Sequence, residues 1–214
     1  MRVRRVRENS ELRGGARIVL GYVGVIGSQD GVDHLVRCLR HLVVEMQHRD
    51  VRAVVVGDGA AAADVRALAV KLGVCDRIAF TGYLTGDRLL AAVSTFDIGV
   101  IPDPANSYND QISMNKLFEY SALGVPSVSY ALTETRRLLG DAGSYADEAT
   151  PRGLAEACAR LIQDDELRRA RGAAAKAVAD ARFDWAREAQ KYVAAYERLS
   201  PAPARSGDAA MVRG

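Results

Sequence analysis

The chain has 214 residues, 49% of them hydrophobic, and a formal net charge of +2. That apolar content suffices to bury a core in one large or two small domains, while so small a charge gives no argument for nucleic acid as a partner. No apolar run approaches the roughly 20 residues of a membrane span, and the basic N-terminus lacks the apolar stretch of a secretory signal, so a cytoplasmic protein is expected.

Along the chain, apolar strand-like runs alternate with helical patterns. After a basic, flexible segment over residues 1–15, a strand is predicted at 18–25 and a helix at 32–47, then a strand at 53–56 and a helix at 62–72. The series continues with a strand at 78–81, a helix at 87–95, a strand at 98–101, a helix at 115–123 and a strand at 126–130. A short strand near 144–146 and helices at 151–163, 165–181 and 185–199 follow, and 200–214 reads as a disordered tail. Strands apolar on both faces, joined through helices, imply an α/β fold: a Rossmann-like parallel sheet with helices on both sides, plus C-terminal helices. Cys38, Cys75 and Cys158 are dispersed with no C-x-x-C pair, so they read as core thiols and not as a disulfide framework or zinc site. His34, His41 and His48 recur every seven residues on one helical stripe, too far apart for i, i+4 metal ligation, and no metal site is expected.

In an open parallel sheet ligands bind beyond the carboxyl ends of the strands, which directs attention to the loops there. The loop after the first strand carries Gly24 and Gly27, whose missing side chains would let a backbone approach a pyrophosphate. Gly57-Asp58-Gly59 follows the second strand, but no third glycine completes G-x-G-x-x-G, which disfavours an NAD site. Tyr83 and Leu84 lie in the turn after the third strand, positioned to offer backbone groups to a nucleobase. The most informative stretch is the polar loop ending in Ser113-Met114-Asn115-Lys116, which runs into the helix bearing Glu119. Lys116 falls in the first turn, where the macrodipole penalises a cation by roughly 0.3–1 kcal/mol unless an anion accompanies it. Free backbone amides of Ser113, Met114, Asn115 and Lys116 suit a phosphate, and Glu119, one turn on, suits ribose hydroxyls.

Taken together, VVVGDG, then DRIAFTGYLTGDRLLAAVSTFDIGVIPD, then NKLFEYSALGVPSV resemble the C-terminal nucleotide-sugar-binding domain of glycosyltransferase family 4, also called group 1, of the GT-B fold. The resemblance covers residues 16–199 and implies one half of a GT-B enzyme. It implies retaining, metal-independent transfer from a nucleoside diphosphate sugar, with no cofactor; consistently, the sequence holds no D-x-D pair. In that family the last Glu of an E-x7-E motif binds the donor ribose, and Glu119 matches it. The motif's first Glu falls on Gln111, with Asp110 just before it, so Asp110 or Gln111 is the candidate catalytic residue contacting the transferred sugar. Val25 stands where many members have an Arg, and Gln29-Asp30 near the position of their Lys, so the usual cationic clamp on the diphosphate is missing.

The resemblance further implies an N-terminal acceptor domain outside this sequence, expected as about 180 residues before Met1. The expected partners are therefore a nucleotide sugar and an acceptor domain or subunit, with membrane or lipid-linked contact only through the complete enzyme, and the isolated chain is expected to be inactive. Trp185, Tyr192 and Tyr196 lie on the helix that resembles the element crossing back to that domain. Other readings are a non-catalytic nucleotide-sugar-binding fragment or split subunit, an epimerase-like GT-B domain, and a flavodoxin-like binding domain.

Overall fold

In the computed structural model, residues 4–199 are described. Runs rich in Val and Ile form the strands β1 (Ile18–Val23), β2 (Val51–Val56) and β4 (Ile98–Ile101), and the shorter or more mixed segments β3 (Ile78–Gly82), β5 (Ser127–Ser129) and β6 (Ser144–Tyr145) extend the sheet. They make one six-stranded sheet in the order β3-β2-β1-β4-β5-β6, with every pairing parallel. All residues of β1 and β4 are buried, as expected for strands covered on both faces, where each fully buried Val, Leu or Ile contributes about 1.5–3 kcal/mol. The direction of sheet growth reverses between β1 and β4, which places a topological switch point, and hence a crevice, at their carboxyl ends.

The helices are α1 (Ser10–Arg13), α2 (Val32–Arg40), α3 (Ala62–Lys71), α4 (Gly86–Ser94), α5 (Asn115–Ala122), α6 (Thr133–Leu139), α7 (Pro151–Gln163), α8 (Asp165–Arg182) and α9 (Trp185–Leu199). α2 lies against α3 and α7, and α5 lies against α8. The helix expected over 32–47 stays regular only to Arg40, widens into a π-helical turn over His41–Glu45, and stops at Gln47, which has a positive φ of 61°. α6 has no counterpart among the expected elements. Its sequence, TETRRLL, offers little apolar periodicity, and its first amide is capped from a distant loop by Asp110. Cys38 and Cys158 are buried, whereas Cys75, expected as a core thiol, is exposed in the short turn before β3.

Residues 4–15, expected as flexible, carry specific contacts. Asn9 caps α1 by accepting from the amides of Glu11 and Leu12 at 3.0 and 3.2 Å, and its own amide donates to Thr95 Oγ1 at 2.8 Å. The Arg5 guanidinium donates to the carbonyls of Leu123 at 3.1 Å and Phe96 at 3.3 Å, at the carboxyl ends of α5 and α4, where a cation is favoured. Arg13 pairs with Asp97 at 2.9 Å.

The described residues divide into two compact units, one ending at Arg182 and the other beginning at Phe183. The first contains the whole sheet; in the second, α9 is an amphipathic helix on which Trp185, Tyr192 and Tyr196 are exposed. The tail expected over 200–214 lies outside the described residues. Among those residues, no helix is long and apolar enough to cross a membrane.

Candidate functional site

The switch point is assembled from the loop after β1, the loop after β4 and the start of α5. The first two are fastened together: buried Asn109 donates through Nδ2 to the carbonyls of Gln29 at 3.2 Å and Pro104 at 2.9 Å. A side chain at Gly31 would collide with the carbonyl of Pro102. Helix α5 is held to β1 by Tyr120, whose buried hydroxyl donates to the Gly21 carbonyl at 3.2 Å and accepts from the Val23 amide at 3.1 Å. This contact fixes where the α5 N-terminus stands relative to the glycine loop.

Lys116 resolves the electrostatic oddity of that helix start. Its ammonium lies 3.0 and 2.8 Å from the two carboxylate oxygens of Asp103. Both side chains are nearly buried, at 8% and 3% exposure, so this is an interior pair and not a solvated surface bridge. The ammonium also sits 5.2 Å from the centre of the Tyr22 ring. The anion that offsets the unfavourable dipole is therefore the chain's own carboxylate, and no phosphate is required to explain the lysine. Burial pushes the Asp103 carboxyl above its ordinary range, with Lys116 opposing the shift. The signal for Asp103 was present in the sequence: a charged residue between Pro102 and Pro104, directly beyond an apolar strand.

The glycine loop is ordered by its own side chains. Tyr22 donates its hydroxyl to the Val25 carbonyl at 2.5 Å, and Asp30 accepts from the Gly27 amide at 2.9 Å. The Gly27 amide thus has an internal acceptor. At Gly24, φ is 152°, and a β-carbon would sit 3.0 Å from the Tyr22 hydroxyl and 3.5 Å from Lys116 Cε. Val25, at the position where the resemblance implies a missing cationic clamp, is exposed.

The remaining predicted residues divide by surroundings. Met114 is the buried residue preceding α5, with extended backbone, and Asn115 and Lys116 occupy the first two helical positions, where the amides have no intrahelical acceptor. Glu119 is accessible to solvent yet partly desolvated, which raises its carboxyl above the ordinary range against the opposing pull of Lys116. Ser113 is exposed and donates its hydroxyl to Glu134 at 2.5 Å. Asp110 accepts from the Thr133 amide at 2.7 Å and so caps α6; Gln111, beside it, is exposed. Tyr83 and Leu84 follow β3, at the sheet edge two strands from β1, and Tyr83 is 79% exposed. The loops after β1, β2 and β3 form a connected series. A side chain at Gly57 would collide with the Gly24 carbonyl, and the Gly57 amide donates to the Gly82 carbonyl at 2.9 Å.

A doubly wound parallel sheet with glycine-lined loops and a helix N-terminus at its switch point defines a Rossmann-like ligand-binding domain. Residues 17–164 match the sequence pattern of "Glycosyl transferases group 1", and the chain belongs to that family. It is 29% identical over 194 residues to the D-inositol 3-phosphate glycosyltransferase of Corynebacterium jeikeium, covering 86% of this chain and 44% of that protein. With the 2-deoxystreptamine glucosyltransferase of Streptomyces kanamyceticus the identity is 31% over 114 residues, 53% of this chain and 28% of the relative. The chain therefore spans less than half the length of these curated relatives.

Among solved structures, Anabaena HepE in complex with UDP superposes with a TM-score of 0.75 at 18% identity, covering 87% of this chain and 50% of that one. The C-terminal domain of a group 1 glycosyl transferase, LpcC from Francisella tularensis, gives 0.66 at 15% identity and is covered to 96%, with 84% of this chain included. The fold is that of a GT-B glycosyltransferase domain.

Proposed function

We propose that this chain is the donor-binding domain of a retaining, metal-independent glycosyltransferase and binds a nucleoside diphosphate sugar at the carboxyl edge of its sheet. The observation that carries the reading is the convergence, at the β1/β4 switch point, of the α5 N-terminus, Glu119 one turn behind it and the glycine loop that Tyr120 holds in place. In this reading Glu119 accepts from the ribose hydroxyls, the amides of 113–116 hold the diphosphate, and Gly24 and Gly27 permit close backbone approach. Tyr83 and Leu84 border the base, and Asp110 and Gln111 contact the transferred sugar. Fixed amides aimed at the leaving diphosphate stabilise charge as it develops, without a metal. The acceptor is supplied by an N-terminal domain or separate subunit, in keeping with the fraction of the relatives that this chain spans. It works in the cytoplasm and meets a membrane only through the complete enzyme.

One observation favours a second reading, a non-catalytic nucleotide-binding subunit: the lysine nearest the phosphate position is already paired with Asp103. Calorimetric titration with UDP, GDP and ADP, followed by turnover assays of the chain alone, separates the alternatives. UDP is the first candidate because HepE, similar in fold, was solved with it. Saturable binding of one nucleotide, weakened by Glu119→Ala, with no turnover by the chain alone, is the expected result. A folded chain that binds none of the three contradicts the donor-domain reading, and multiple turnovers without a partner contradict the need for an acceptor half.

A further inference from the structure

At the opposite edge of the sheet, where β1, β2 and β3 begin, lies a polar recess of about 260 Å³ walled by Gly14, Gly15, Arg49, Arg52 and Arg77, with Asp50 and Asp76 at its margin. Strand β2 is six residues long, so the recess and the switch point are separated by roughly 20 Å of sheet. Three arginines face two carboxylates there, and most of these groups are engaged. Asp50 accepts from Arg17 Nε at 2.5 Å. Arg77 donates to the Arg49 carbonyl at 2.5 Å, and Arg49 donates twice to Gln47 Oε1 at 3.1 and 2.7 Å.

Arg52 is different. It interrupts a strand whose other five residues are all buried. Its Nε is inaccessible to solvent and has no acceptor, and its guanidinium has no hydrogen-bond or ion-pair partner among the described residues. An orphaned donor on a charged side chain is costly to keep, and an apolar residue would complete the strand without that cost. The neighbouring backbone makes room for the group. Gly14 caps α1 in the left-handed region, and a side chain there would collide with Arg52 Nη1. At Gly15 (φ 76°) a β-carbon would meet open space.

We infer that this recess is a second ligand site, which takes a phosphate-class oxyanion on the accessible, unpartnered Nη1 and Nη2 of Arg52. A planar guanidinium matches two oxygens of such a group at once, and Arg49 adds positive potential at the mouth, Arg77 being paired with Asp76 at 3.3 Å. The site is separate from the donor site in position and in what holds the anion, a guanidinium here and helix-terminal amides there. The phosphate is carried either by a free soluble anion or by a lipid headgroup, and the shared chemistry is the same.

The test has two arms on the full chain: calorimetric titration with inorganic phosphate at constant ionic strength, and co-sedimentation with phosphatidylcholine vesicles with and without phosphatidic acid. Arg52→Gln removes the fork. Gly15→Asp leaves Arg52 in place and sets a carboxylate at the mouth, in a left-handed conformation that Asp tolerates. The expected result is saturable binding in at least one arm, weakened at least tenfold by each folded variant. Binding in the phosphate arm alone identifies a free anion, and binding only to vesicles containing phosphatidic acid identifies a headgroup. A folded chain that binds in neither arm, or binding that either folded variant leaves unchanged, overturns the inference. UDP titration of the same variants reports on the donor site separately.

Discussion

Lys116 on helix α5 and Asp103 in the loop just beyond β4 form a two-pronged ion pair, 2.8 and 3.0 Å long, almost out of reach of water. It ties the start of the helix to the strand beside the switch point, and each partner strands the other if removed.

Asp103→Ala and Lys116→Met are each expected to destabilise the domain by about 3–5 kcal/mol, the cost of leaving one interior charge unpaired. Replacing both with apolar residues of similar volume should recover most of that loss. Urea unfolding of the two single variants and the double variant measures the coupling; additive losses would mean the pair is not an energetic unit.

Glu119 carries a partly desolvated carboxyl whose folded pKa is raised above its unfolded value. Such a group opposes folding at pH values above its unfolded pKa, so Glu119→Gln should hold or raise the melting temperature at neutral pH. Glu119→Ala should meanwhile weaken nucleotide binding by about 1–3 kcal/mol. A melting temperature that falls while nucleotide affinity stays constant would make Glu119 a structural residue.

Asp110 caps α6 through the Thr133 amide, and that bond holds its carboxyl below the ordinary range. Asp110→Ala should therefore speed hydrogen exchange at Thr133 and the next amides of α6, whereas Asp110→Asn, which keeps an acceptor, should restore protection. If the residue also contacts the transferred sugar, turnover by the assembled enzyme should drop in both variants. The comparison thus separates capping from contact with substrate.

Glu134 accepts from Arg137 and Ser113, and those bonds, the arginine's first, lower its carboxyl to about 2. A depressed folded pKa contributes stability that is fully present above the unfolded value near 4.3 and is lost as pH falls toward 2. Glu134→Gln should flatten the acid limb of the stability profile in that window. Ser113→Ala should raise the Glu134 pKa, as followed by NMR titration.

Much of the sheet was legible because its strands are apolar on both faces, and a run such as Ile98–Ile101 has few alternative readings. The glycine loop and the NKLFEY helix were legible as the candidate site for a related reason: polar and glycine residues directly beyond such strands stand where this architecture binds ligands. The partner of Lys116 was not, because Asp103 is thirteen residues away and only the folded loop brings the two together. α6 escaped notice because its cap is a tertiary one from Asp110. The end of α2 was misplaced because residues 41–45 keep a helical apolar pattern while the backbone widens.

The packing of Gly24 against Gly57, and of Gly59 against Ile26, leaves no side-chain cushion between the first two loops at the carboxyl edge. With backbone resting on backbone, they behave as one mechanical part. A length change in either loop has nowhere to be absorbed locally and must be matched in the other, so under the proposed donor-site reading variation in ligand preference is expected to enter through flanking side chains such as Val25, Gln29 and Tyr83.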